Sequence, residues 1–289
     1  MLLRRTKLAH FLSFAPIYLF LKGAGVLPFR WRVIMGGAVI SGIVRWIPSA
    51  RNRVIANLDL IWPDKPRQEK LELCVGVGRQ MGRTITEILY GEDFQDHHLE
   101  LRASGPGLQL ILDAQAEGKP AIMVSAHFGQ WESVRVFLRK EHGINVGGIY
   151  RVNNNPYYDP YFLRGLEASG PMVAKSNEGY RKLLKMLKQG QVFAILADQL
   201  FYTGKRLPFL GQESLTTTSP AELAIRYGAP LVPAYGIRRD DEGYFDMIFE
   251  EPIPHGDPEE MMRAFNDSAS RMIQKYPDQW LWLHRRWKA

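Results

Sequence analysis

The sequence predicts an α/β fold: a mixed, mainly parallel central sheet flanked by helices, behind an N-terminal helical membrane anchor. Three observations predict it. From about Gly105 onward, short apolar runs alternate with amphipathic stretches of helical period, the pattern of strands and helices in succession. The runs at 121–126 (AIMVSA), 146–150, 192–197 (VFAILA) and 231–235 are apolar enough for a largely buried sheet. Two uncharged stretches near the start, 8–21 and 33–44, are bordered by basic residues and tryptophan, as at a membrane interface. The expected division is an anchor over 1–48 and a domain over 49–289. Within that domain, 49–104 is a helical lead-in and 105–289 the α/β core.

The elements follow in order. Arg4, Arg5 and Lys7 precede the first apolar run, which is short of the roughly 20 residues a spanning helix needs and carries Pro16 at its middle, where a helix kinks. A cleaved signal peptide, a kinked single span and an interfacial or re-entrant anchor all fit the basic start; no convincing cleavage site follows the run. Residues 50–60 and 67–90 read as helices separated by Pro63 and Pro66. Gly76, Gly78 and Gly82 imitate a dinucleotide fingerprint, but the third glycine comes one position late and no strand precedes them. Residues 180–189 read as a helix ending at Gly190, 245–249 as a strand, and 259–276 as a helix stopped by Pro277.

Composition limits the function classes. The 289 residues are 46% hydrophobic, 11% aromatic and 23% charged, values of a globular chain. Cys74 is the only cysteine, which excludes an intrachain disulfide and a cysteine-based zinc site. A net charge of +7 and a pI near 9.4 call for an acidic partner: nucleic acid, anionic lipid or an acidic carrier protein. No nucleic-acid module or long basic run is present, so no nucleic-acid partner is expected.

The chemistry-bearing segment is SAHFGQWE, Ser125 to Glu132. The run AIMVSA delivers His127 to a strand end, where ligands meet α/β sheets, and Gly129 permits a tight turn. Two residues five apart on one helix lie about 140° apart around its axis. His127 and Glu132 therefore meet only if His127 sits on the turn before the helix. A carboxylate so placed accepts a hydrogen bond from one imidazole nitrogen and leaves the other free to take a proton. The spacing alone is weak: with 7 His and 30 acidic residues, chance gives roughly 0.7 matches. A second match, His255 and Glu260, lies in a polar stretch without a strand and reads as a surface loop. A histidine satisfied at a turn, with Glu132 as a favourable helix-start charge, fits the same residues.

This segment resembles the H-x4-[DE] block of the lysophospholipid acyltransferase-like superfamily, and most closely that of the bacterial lipid A late acyltransferases, which reads much like AHFGNWE. Further stretches are similar in order: RVIANLDLIWPD (53–64), YRVNNNPYYD (150–159), ADQ (197–199), PFLG (208–211), TTTSPAELAIRYGAPLVP (216–233) and PDQWLWLHRRWK (277–288). The resemblance covers about residues 50 to 288. Gln130 stands where relatives often carry asparagine, a change between like amides.

The resemblance implies an acyltransferase domain at the cytoplasmic face of the inner membrane, peripheral or single-pass. It implies transfer of a fatty acyl group from acyl-carrier protein to a hydroxyl of a lipid A precursor, with no cofactor or metal. Relatives that use phosphatidylinositol mannosides or other lipids, sometimes from acyl-CoA, keep those substrates open. Carried over, His127 is the general base and Glu132 its orienting partner. Arg151, Arg164 and Asp198 are substrate-binding candidates, although Arg164 also reads as a helix-surface arginine and Asp198 as a loop cap. Backbone amides around 128–130, or an arginine, are expected to hold the oxyanion. Arg151 and Arg164 are expected to clamp phosphate, and the basic helix with Arg181, Lys182, Lys185 and Lys188 to attract acidic carrier or bilayer. Three rivals are a lipid ester hydrolase, a metalloenzyme and a non-catalytic membrane-binding protein. Against them stand the lack of a G-x-S-x-G elbow, the lack of H-E-x-x-H spacing, and the intact His/Glu and DQ blocks.

Overall fold

The computed structural model describes residues 6–97, 100–239 and 243–288. Arg4 and Arg5, read as the basic start of the anchor, lie outside the described residues.

Five helices lead in: α1 (Lys7–Ala24), α2 (Phe29–Trp46), α3 (Pro48–Ile61), α4 (Arg67–Leu89) and α5 (Gly91–Asp96). Helix α1 starts where Thr6 caps it, accepting from the Ala9 N–H, and runs on through Pro16. The glycines that imitate a nucleotide fingerprint serve close helix packing instead. A Cβ on Gly82 would stand 2.3 Å from the Gly36 carbonyl oxygen, and one on Gly78 2.8 Å from the Ser41 Cα. Helices α2 and α4 are thus brought to backbone contact by what they lack.

Strand β1 (Glu100–Ser104) opens the α/β part and α6 (Gly107–Ala116) follows. Then come β2 (Ala121–Ser125), α7 (Ser133–His142), β3 (Gly147–Tyr150), α8 (Asp159–Glu167), β4 (Met172–Ala174), α9 (Asn177–Lys188) and β5 (Val192–Leu196). A hairpin of β6 (Lys205–Phe209) and β7 (Gln212–Thr216) leads to α10 (Ser219–Tyr227), β8 (Leu231–Arg238), β9 (Tyr244–Phe249) and α11 (Pro258–Lys275). The last helix begins on an Asp257 cap that accepts from the Glu259 and Glu260 N–H groups, with Pro258 in its first turn.

Among the described residues the main sheet has seven strands in the order β1-β9-β8-β2-β5-β3-β4. It is parallel throughout except where β9 runs against β8. The expected mixed, mainly parallel sheet is therefore present. Alternation along β2 explains its two-sided burial: Ile122 and Val124 pack with residues of α9, α10 and α11 on one face, while Ala121 and Met123 pack with α6 and α7 on the other. The adjacent strands β2 and β5 thus send their chains to opposite faces, to α7 and α10 respectively. That is a topological switch point, and it opens a crevice at their C-terminal ends.

The anchor reads differently from a spanning helix. Among the described residues no single helix is long and apolar enough to cross a membrane; only α2 with α3, bent by 82°, passes by length and composition. Helix α1 lies against the main domain. Phe14 contacts the rings of Tyr157 and Tyr161, and Asn155 Nδ2 donates to the His10 carbonyl at 2.9 Å. Its other side leaves Leu8, Leu12 and Leu19 exposed, and α2 leaves Trp31 and Trp46 exposed.

Candidate active site

Parallel register builds the site. Ser125, the last residue of β2, pairs with Leu196, the last of β5. The ladder continues one step, with the Ala197 N–H donating to the Ser125 carbonyl at 2.9 Å. Two residues past each strand end stand His127 and Asp198, which are therefore neighbours. His127 Nδ1 lies 2.8 Å from Asp198 Oδ1, and the His127 backbone N–H donates to Oδ2 at 3.0 Å. Trp280 Nε1 donates to the same Oδ2 at 2.8 Å.

The Asp198 side chain is 2% exposed and that of His127 21%. Burial alone would push the Asp198 pKa up. The charge of the His127 ring, and the hydrogen bonds from His127 and Trp280, outweigh it and hold the carboxyl at about 2. A carboxylate only accepts, so Nδ1 carries a proton, and in the neutral ring Nε2 keeps the lone pair. The ring leans edge-on against Trp131, centroids 5.3 Å apart.

The hydrogen bond expected from Glu132 to His127 is thus made by Asp198. Glu132 points elsewhere, its Oε2 lying 2.5 Å from Arg135 Nη1, with both side chains buried. Arg135 goes on to the carbonyls of Val146 and Leu166. The physical reason is position: Glu132 sits directly before α7, where the i,i+3 neighbour Arg135 lies on its own side of the helix. Glu132 and Arg135 also border a narrow, mostly apolar crevice lined by Met123, Trp131, Ile149, Met172 and Leu196.

The backbone amides expected to hold an oxyanion are already engaged. Phe128 N–H donates to Ala126 O, Gly129 N–H to Gln279 O, and Gln130 N–H to Gly236 O. They are structural clamps on the turn. Gln130 is buried, donating to Glu87 Oε2 at 2.6 Å and accepting from the Glu132 N–H at 3.1 Å. Glu87 in turn is paired with Arg238.

Arg151 leaves the end of β3, at the same sheet edge as His127, and is exposed with Nη2 on Asn154 Oδ1. Arg164 is not brought to the histidine; it forms an exposed pair with Glu92 at 2.8 Å. Arg181, Lys182, Lys185 and Lys188 lie exposed on α9, Lys182 being paired with Glu178. His255 is an exposed loop residue, as expected, with Nε2 2.9 Å from the Ala229 carbonyl.

Sequence reasoning missed the supports of Asp198. Besides Trp280, Arg286 Nη1 donates to the Gln199 carbonyl at 2.9 Å, and His284 Nε2 accepts from the Leu200 N–H at 2.9 Å. Burial holds the His284 pKa down, consistent with that accepting role. The dense aromatic and basic text of 277–288 was the available signal.

A doubly wound sheet with a histidine–carboxylate pair at its switch point defines the class: an α/β enzyme with its polar groups at the C-terminal edge of the strands. The chain belongs to the bacterial lipid A biosynthesis acyltransferase family, whose family model matches residues 4–289. It is 29% identical over 256 residues to the lipid A biosynthesis lauroyltransferase of Escherichia coli (strain K12), covering 85% of this chain and 81% of that protein. It is 24% identical to a lipid A biosynthesis acyltransferase of Haemophilus influenzae, covering 89% and 81%. A phosphatidylinositol mannoside acyltransferase of Mycobacterium tuberculosis (strain CDC 1551 / Oshkosh) is 24% identical over 188 residues, covering 63% and 59%. The protein is an O-acyltransferase that acts on a lipid.

Proposed function

We propose that the protein moves a fatty acyl group from acyl-carrier protein to a hydroxyl of a lipid A precursor, with His127 as general base and Asp198 as the carboxylate that orients it. The observation that carries this reading is the contact between His127 Nδ1 and Asp198 Oδ1, which sets the proton of the neutral ring on Nδ1 and leaves the part-exposed Nε2 to accept. The acceptor hydroxyl gives its proton to Nε2 as its oxygen bonds to the thioester carbonyl carbon. The tetrahedral intermediate then collapses, the C–S bond breaks, and the imidazolium returns the proton to the departing thiolate. Asp198 supports the positive ring in between.

Glu132 enters as a builder of the site. Its pair with Arg135 fixes one wall of a narrow apolar crevice that also borders Trp131, the ring against which His127 leans. Arg151, exposed at the end of β3, is proposed to meet a phosphate of donor or acceptor. Among the described residues no group of three or more His, Cys, Asp or Glu could hold a metal ion.

We also propose attachment to the cytoplasmic face of the inner membrane; the exposed apolar sides of α1 and α2 support a membrane seat. Leu8, Leu12 and Leu19 on one helix, and Trp31 and Trp46 on the other, suit an interfacial seat with a basic rim. The test is direct. Purified protein is incubated with labelled lauroyl-carrier protein or lauroyl-CoA, with and without a lipid A precursor, and the lipids are weighed by mass spectrometry. Label on the precursor from the carrier protein supports the reading. Label on a phospholipid or a mannoside instead reassigns the acceptor, and free fatty acid as the main product makes it a hydrolase.

A further inference from the structure

The turn that bears His127 offers no backbone donor at 128–130 for a developing oxyanion, since those amides are bound to Ala126, Gln279 and Gly236. Acyl transfer needs such a donor, because negative charge collects on the carbonyl oxygen in the transition state. A side-chain amide stands beside the reactive nitrogen: Gln199 Nε2 lies 3.4 Å from His127 Nε2. Its orientation follows from chemistry. Asp198 holds the ring proton on Nδ1, so Nε2 accepts, and only the NH2 end of the glutamine can face it.

Gln199 is held at its backbone and free at its tip. Buried Arg286 donates to its carbonyl, and the next amide, that of Leu200, donates to His284. The side chain itself is exposed to the space in which substrate must lie. At 3.4 Å the contact with Nε2 is near the outer limit of a hydrogen bond. An arriving hydroxyl can replace it without large cost.

We propose that the side-chain amide of Gln199 is a catalytic group, donating a hydrogen bond to the thioester carbonyl oxygen as it becomes the tetrahedral oxyanion. The acceptor hydroxyl takes the place of the amide on Nε2. The carbonyl π pair moves onto oxygen as the new C–O bond forms, and the displaced NH2 follows that charge. When the C–S bond breaks, the carbonyl re-forms and the amide returns to the ring. This rests on His127 acting as the base.

The test compares Gln199→Ala and Gln199→Met, the second keeping length without a donor, with wild type and His127→Ala. The probes are lauroyl-carrier protein and a lipid A precursor, and the readout is release of the carrier thiol. Both Gln199 variants are expected to lose about 10²–10³-fold in kcat with KM changed little. Their melting temperatures, and the pH limb of kcat/KM that reports the base, are expected to stay where they are in wild type. Turnover within threefold of wild type in both, a loss carried by KM, or a displaced pH limb would overturn the assignment. Normal turnover in His127→Ala would instead remove the base, whatever the Gln199 variants do.

Discussion

His127 Nδ1 lies 2.8 Å from Asp198 Oδ1 although 71 positions separate the two residues in the chain. The partner suggested by sequence proximity, Glu132, is turned onto Arg135. One carboxylate therefore serves the imidazole and the other serves the wall beside it, and the consequences of removing each differ.

Replacement of His127 removes the proton acceptor. His127→Ala is expected to lower acyl transfer by about 10²–10⁴-fold, and, because it takes one donor from buried Asp198 while Trp280 and the backbone N–H remain, to lower the melting temperature modestly without unfolding the protein. Stopped-assay turnover beside a thermal melt checks both halves.

Glu132→Gln strands a buried guanidinium. Removing one partner of a buried pair costs about 3–5 kcal/mol, so urea unfolding is expected to show a loss of that order. Adding Arg135→Met is expected to recover part of it. Equal stability of wild type and Glu132→Gln would mean that the pair does not support the fold.

These two variants mark what was legible in the sequence. The buried runs AIMVSA and VFAILA, and the helices at 67–90 and 259–276, are long or uniform enough to be read alone. The short edge strand Met172–Ala174 and the hairpin Lys205–Thr216 are not: three residues carry no period, and Pro208 interrupts the second. The candidate site was half legible. His127 and Asp198 each stand two residues past a buried run, but their meeting depends on the parallel register that pairs Ser125 with Leu196. No local spacing encodes that, whereas His127 and Glu132 are close in sequence and so invite pairing. The engaged amides of the turn are equally nonlocal, held by Gln279 and Gly236.

Acid stability follows from Asp198. Its folded pKa, about 2, lies below its ordinary value of 3.8. Its contribution is complete above that ordinary value and is lost as pH falls through about 2, with a total on the order of 2 kcal/mol. Wild type is expected to lose stability between about pH 4 and pH 2 more steeply than Asp198→Asn. Parallel declines in urea titrations across that window would contradict the assignment.

The glycine contact between α2 and α4 predicts a position-specific response. Gly82→Ala drives a methyl to 2.3 Å from the Gly36 carbonyl oxygen and is expected to cost about 1–3 kcal/mol. Gly23→Ala, in α1 with nothing within 4 Å of the new methyl, is expected to be neutral or slightly stabilising. Thermal melts of the two variants provide the comparison.

The most direct test of the account is the turnover of Asp198→Asn. Asparagine keeps the shape and can still accept from Trp280 and the His127 N–H, but an NH2 facing Nδ1 forces the ring proton onto Nε2 and removes the base. The account predicts a folded protein whose kcat is lower by at least about a hundredfold. Near-normal turnover from that folded variant would show that His127 works without Asp198, and the central claim would fall.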